Sequence, residues 1–173
     1  MIHHTSGYLC AALPSPLADT LALPPMVAAT ENADPNRTAY TITIDAASGV
    51  TTGISAADRA HTCQLLARKS VSEHDFRRPG HVVPLRAVKG GVRQRQGHTE
   101  AAVEFARLAG EEQHVGIIAE LVEEGEEVQG KAERTGEGMM RAAACVEFGK
   151  RYGIKVVTIE ALKEFVEEKE GSL

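Results

Sequence analysis

A chain of 173 residues, 43% hydrophobic and 25% charged, is long enough for one domain with a sizeable core and too short for two comfortable ones. Its net charge of −5 and 4% aromatic content argue against a dedicated nucleic-acid binder, which needs cations for phosphates and rings for bases. No apolar run approaches the ~20 residues of a membrane span.

In chain order, the first apolar stretch covers residues 8–29. It lacks a Lys or Arg n-region and is broken by Pro14, Pro16, Asp19, Pro24 and Pro25, which argues against a signal peptide. Residues 38–45 alternate, with Tyr40, Ile42 and Ile44 on one side, and predict a half-buried strand. A turn is expected over 49–53. Ser55 with Asp58 three residues on predicts a capped helix running to about Arg68. A short strand at 82–85 precedes a Gly90-Gly91 turn, and Thr99 is placed to cap a helix ending near Gly110.

Residues 115–122 read as an apolar strand interrupted by Glu120, and 123–137 as an exposed acidic loop. A helix is expected over 139–152 with Gly153 as its stop, then a strand at 155–159 and a last helix at 160–168. Alternating strands and helices favour an α/β (α+β) single domain, a mixed sheet flanked by helices. Cys10, Cys63 and Cys145 are odd in number and widely spaced, which predicts free thiols in a reducing compartment.

Two segments carry chemistry. Arg78-Pro79-Gly80-His81 and Arg95-Gln96-Gly97-His98-Thr99-Glu100 each place Arg, Gly and His within a few residues. Glycine lets backbone approach a ligand, a helix start offers free N–H groups to an anion, and arginine can fork two hydrogen bonds onto phosphate. The histidines can move protons or bind metal near neutral pH. Glu120 lies in an apolar run, where a buried carboxyl would suit proton exchange and an outward-facing one would have no duty. His3, His4, His61, His74 and His114 have no ligand spacing that stands out. Cys10 has no evident paired base, against a nucleophile. Metalloprotease, NTPase and dinucleotide motifs are absent.

These segments, with His4-Thr5-Ser6-Gly7-Tyr8-Leu9-Cys10, Gly49-Val50-Thr51-Thr52-Gly53-Ile54-Ser55-Ala56-Ala57-Asp58-Arg59, Gly90-Gly91-Val92 and the Glu120-Leu121 pair, resemble 3,4-dihydroxy-2-butanone 4-phosphate synthase in order along nearly the whole chain. The resemblance implies a carbon–carbon lyase of riboflavin biosynthesis. It would convert D-ribulose 5-phosphate to 3,4-dihydroxy-2-butanone 4-phosphate and formate through a metal-stabilised enediolate, with Mg2+ or Mn2+ as cofactor. It also implies a homodimer with the site at the subunit interface; the cysteines point to a cytoplasmic location, and the charge and apolar pattern predict no nucleic-acid or membrane partner. Carried over by position, His81 and Glu120 are the catalytic residues, His98 is the metal ligand, and Arg95, Gln96, Gly97, His98 and Thr99 bind substrate. Thr52 is a weaker phosphate candidate.

Relatives carry an acidic loop of the Arg-Glu-Asn-Glu-Gly-Asp type upstream of the His-Thr-Ser-Gly segment, and this chain starts past it at Met1-Ile2-His3-His4. The expectation is therefore a synthase domain over 1–173 that is N-terminally incomplete. The alternatives are a catalytically inactive relative serving as a phosphate-ligand-binding or dimerisation module, and a sugar-phosphate isomerase using the same pocket.

Overall fold

The computed structural model describes residues 1–173 and resolves into two compact units. The larger comprises residues 9–118 and 159–173, the smaller residues 1–8 and 119–158.

The larger unit is built on a four-stranded mixed sheet in the order β2-β3-β1-β4, with β1 Leu9–Pro14, β2 Ile44–Ala46, β3 Phe76–Ala87 and β4 Gly116–Ala119. β1 and β3 run parallel, and β2 pairs antiparallel with β3. Side chains alternate across the two faces, as the period of two requires. Ala11, Leu13 and Val82 join Leu21, Leu66 and Phe76 in one core cluster, while Cys10, Val83 and Leu85 form another with Tyr40 and Ile118. Three longer helices complete this unit: α2 Ala56–Leu66, α3 His98–Leu108 and α5 Ile159–Glu170. A short α1, Ser15–Thr20, turns the chain after β1, inside the apolar stretch that had no assigned structure. Val92 and Ala101 pack against Leu162 and Val166 of α5.

Ser55 caps α2 as expected, its side chain accepting from the Asp58 N–H at 3.0 Å. The Asp58 carboxylate turns back to hold the preceding loop. It accepts from Thr51 Oγ1 at 2.6 Å, from the Thr51 N–H at 3.2 Å and from the Gly53 N–H at 3.0 Å. These bonds, the Thr51 hydroxyl first among them, lower its carboxyl from the ordinary 3.8 to about 2. A carboxyl depressed in the folded state contributes stability above its unfolded value and loses it as pH falls through the folded one. Melting temperature is therefore expected to drop between about pH 4 and pH 2, and Asp58→Asn to flatten that drop while lowering stability at pH 7. Thermal melts across this range check it. Thr62 ties α2 to the sheet by accepting from the Ala46 N–H at 2.9 Å. Burial pushes the neighbouring Cys63 thiol up to about 11, and none of the three cysteines is in a disulfide.

Several expected elements differ. The strand over 38–45 shrinks to Ile44–Ala46, with isolated bridges at Tyr40 and Thr41. Thr41, on the side opposite Tyr40, Ile42 and Ile44 where alternation expects solvent, is fully buried, its hydroxyl and N–H both reaching the Pro84 carbonyl at 3.0 Å. β3 starts at Phe76, earlier than its apolar core suggested, because Phe76 and Arg77 pair with Ala46 and Asp45 of β2 ahead of that core. Thr99 does not cap α3. Gly97 occupies the N-cap and Thr99 is buried inside the first turn.

In the smaller unit, the acidic segment is an exposed ribbon of two short antiparallel pairs. β5 Val122–Glu123 pairs with β8 Gly138–Met139, and β6 Glu126–Glu127 with β7 Arg134–Thr135. α4 covers Ala142–Tyr152 and ends at Gly153 in the left-handed region, the Ile154 N–H returning to the Gly149 carbonyl at 2.8 Å. Tyr152 packs tilted against Phe148, and its hydroxyl lies 3.3 Å from His4 Nδ1. The strand expected over 155–159 does not form. Residues 154–158 belong to no strand, and Ile154, Val156 and Val157 are exposed. No helix in the chain is long and apolar enough to cross a membrane.

Candidate active site

The decisive irregularity of the sheet lies between β2 and β3. Ile44 pairs with Val82, but the next residue, Asp45, pairs with Arg77, so residues 78–81 fall outside the ladder. Pro79 has no N–H to give a ladder, which suits it to such a break. Gly80 packs directly on the β2 backbone, where a Cβ would collide with the Ile44 carbonyl carbon and the Asp45 nitrogen. Its N–H is held by Thr43 Oγ1 at 3.0 Å. Bulges of this kind re-aim side chains, and this one turns His81 back onto β2.

There the Asp45 carboxylate is 1% exposed and takes two bonds from His81. Oδ1 accepts the backbone N–H at 2.9 Å, and Oδ2 lies 2.8 Å from Nδ1 of the ring. A carboxylate can only accept, so Nδ1 carries the proton and the Nε2 lone pair is left for another partner. The His81 side chain is 39% exposed, so that second nitrogen is within reach of a ligand. Arg77 donates to the same Oδ2 at 3.4 Å and to the Thr52 carbonyl at 2.9 Å, bringing the Thr51-Thr52-Gly53 turn to the pair. Thr52 enters through its backbone oxygen, and its residue is exposed.

A second group surrounds the start of α3. No side chain caps this helix, and its first backward bond runs from the Ala101 N–H to the Gly97 carbonyl at 3.0 Å. The N–H groups of His98, Thr99 and Glu100 precede it and point out of the helix end, which carries partial positive charge. Gln96 and His98 are exposed there. Arg95 is not a free cation: its guanidinium bonds Glu100 Oε2 at 2.5 Å, the Asn36 carbonyl at 3.0 Å and Thr38 Oγ1 at 3.4 Å. Glu120 belongs to the smaller unit. It is exposed rather than buried, and its carbonyl accepts the Ser6 N–H at 2.9 Å. Its side chain is at the surface because β4 ends at Ala119 and the chain turns out before β5.

A profile of 3,4-dihydroxy-2-butanone 4-phosphate synthase matches residues 1–165. The chain belongs to the 3,4-dihydroxy-2-butanone 4-phosphate synthase family. The synthase of Pyricularia oryzae is 52% identical over 174 aligned residues, covering 100% of this chain and 73% of that one. That of Schizosaccharomyces pombe is 48% identical over 167, covering 96% and 76%. A crystal structure of a synthase in complex with two magnesium ions superposes with a TM-score of 0.94 at 52% identity, covering 100% of this chain and 79% of that one.

The synthase fold thus supplies a carboxylate–imidazole pair and an open helix start. It does not supply a magnesium centre from this chain alone: no three His, Cys, Asp or Glu side chains converge to hold a metal. His98 would bring one imidazole, and magnesium takes mainly oxygen ligands.

Sequence reasoning placed His81, Arg95, Gln96, Gly97, His98, Thr99, Thr52 and Glu120 as site residues. It missed Asp45 and Arg77, and it assigned Glu100 no role. One signal for Asp45 was present: an acidic residue between Ile44 and Ala46 in a strand is expensive unless something pairs with it.

Proposed function

We propose that this synthase-family chain converts D-ribulose 5-phosphate to 3,4-dihydroxy-2-butanone 4-phosphate and formate, a carbon–carbon lyase step in riboflavin biosynthesis. The observation that carries the proposal is the Asp45–His81 pair at the ladder break. The ketone of ribulose 5-phosphate acidifies the C–H bonds beside it. His81 Nε2 takes one of these protons, and the buried Asp45 carboxylate holds the ring in the tautomer that can do so and stabilises the imidazolium that results. The same nitrogen returns a proton later in the rearrangement. Glu120 is the second proton carrier, its exposed carboxyl open to exchange with solvent.

The substrate phosphate is received at the first turn of α3, by the outward N–H groups and the segment Arg95-Gln96-Gly97-His98-Thr99, with Thr52 as a lesser contact. Fixing the phosphate orients the carbon chain, which is where much of the rate gain from positioning arises. A divalent cation, magnesium or manganese, is the cofactor the family suggests, with His98 as the ligand from this segment. The residues present do not fit a magnesium centre by themselves. The proton transfers proposed are accordingly those of His81, oriented by Asp45, and of Glu120. The family match runs through both compact units, which supports reading 1–173 as one synthase domain. A homodimer with the site at its interface and a cytoplasmic, reducing location complete the proposal, and the free cysteines suit that compartment.

The test is formate released from ribulose 5-phosphate by the purified chain with magnesium, against the same mixture with EDTA. Formate that disappears with EDTA supports the lyase. Isomerised sugar phosphate without formate would move the site to an isomerase, and phosphate-ligand binding without turnover to a binding module.

A further inference from the structure

Glu100 is the most deeply buried acid beside the helix start, 1% exposed, and both its oxygens are engaged. Oε1 accepts the Val88 N–H at 3.0 Å, and Oε2 accepts Arg95 Nη1 at 2.5 Å. A carboxylate taken out of water is costly unless such partners compensate it. Gly97 lies over the meeting point, where a Cβ would strike both Arg95 Nη1 and Glu100 Oε2. Glycine here leaves the gap across which the two side chains meet.

The other amino group of Arg95 is fastened to Asn36 and Thr38, so one guanidinium spans from the first turn of α3 to the loop at 32–38. That loop is bonded to itself. Asn32 Nδ2 reaches the Thr38 carbonyl at 3.1 Å, the Asp34 N–H reaches Asn32 Oδ1 at 2.9 Å, and the Thr38 N–H reaches Asp34 Oδ2 at 2.8 Å. The Thr38 bonds hold the Asp34 carboxyl below its ordinary value. The loop therefore responds as one piece to whatever holds Arg95.

We infer that Glu100 is a positioning residue for substrate phosphate: its charge fixes Arg95, and through Arg95 it sets the 32–38 loop against the open first turn of α3. This rests on the proposed phosphate site at that turn. It also changes the part played by Arg95, which acts from within a fixed pair instead of as a free cation.

Glu100→Gln keeps the shape of the side chain and an oxygen for the Val88 N–H, but removes the charge. It is expected to weaken ribulose 5-phosphate binding by calorimetry about tenfold, as loss of a charged hydrogen bond does. KM rises with it, and kcat stays within about twofold. Amide hydrogen exchange speeds up at 36–38 and is unchanged at 44–46, which reports that the sheet is intact. Arg95→Gln, a change at a partly exposed side chain, gives a shift of the same size, and the double variant is no worse than the worse single one.

Unchanged binding, additive losses in the double variant, a fall in kcat at constant KM, or faster exchange throughout the sheet would each overturn the inference. A wild-type chain that binds ribulose 5-phosphate but releases no formate would overturn the proposed reaction alone, since calorimetry and exchange still decide the part of Glu100. A wild-type chain that does not bind ribulose 5-phosphate would overturn the positioning role.

Discussion

Replacing His81 by alanine is expected to lower formate release from ribulose 5-phosphate by about 10²–10⁴-fold, the range over which a positioned acid–base group contributes to rate. The ring is 39% exposed and makes its one described side-chain bond to Asp45, so its removal should leave the fold in place. Circular dichroism and melting would show the variant intact. Asp45→Asn should approach the same loss by another route. An amide at this position can offer its N–H₂ to Nδ1, which reverses the tautomer and places the proton on Nε2, where the base is needed. The amide oxygen would still accept the His81 backbone N–H, so the strand contact survives while the chemistry fails. If His81→Ala released formate at the wild-type rate, the assignment of the base would be wrong.

The second large effect concerns stability. Gly80→Ala puts a methyl into the β2 backbone at Ile44 and Asp45, atoms that have no rotamer to escape through. Forcing such a group into packed structure costs roughly 1–3 kcal/mol, and more where backbone must move. Urea denaturation should show the unfolding free energy falling by that amount, the midpoint moving down with the slope unchanged. Gly138→Ala is the matched control, because an added Cβ there meets nothing within 4 Å. Gly80→Ala should also reduce formate release, since widening the β2–β3 spacing draws His81 from Asp45. A variant as stable as the wild type would mean that the strands yield at this point.

Local patterns in the sequence were read well where they are local in physics. Ser55 and Asp58 announced α2 because capping is settled within one turn, and Gly153 announced the end of α4 for the same reason. The strand at 155–159 failed because apolar residues of high β-propensity still need a neighbouring strand, and no ladder reaches them. Thr41 and Asp45 were hidden by their own polarity: alternation assigns polar residues to solvent, whereas both are buried by partners on β3, at Pro84 and His81. Those partners are distant in sequence, and nothing in the spacing specifies the register that joins them. Thr99 was taken for a cap because its type favours that place, yet the backbone bond from Ala101 starts the helix at Gly97. Family resemblance pointed to His81 and to the segment from Arg95 to Thr99. It said nothing of Glu100, whose part depends on a contact made across a missing Cβ.

The break in the ladder between Ile44 and Asp45 bears on how this scaffold can change over generations or at a designer's hand. Asp45 is at once a rung of β2 and the orienting partner of the imidazole, and Gly80 is at once a spacer between strands and the neighbour of that imidazole. Selection for a sturdier protein and selection for a faster one therefore act on the same few positions. Drift at 45 or 80 would be opposed for two reasons together. Anyone seeking to shift the imidazole for a new substrate would have to re-register a strand rather than exchange a side chain.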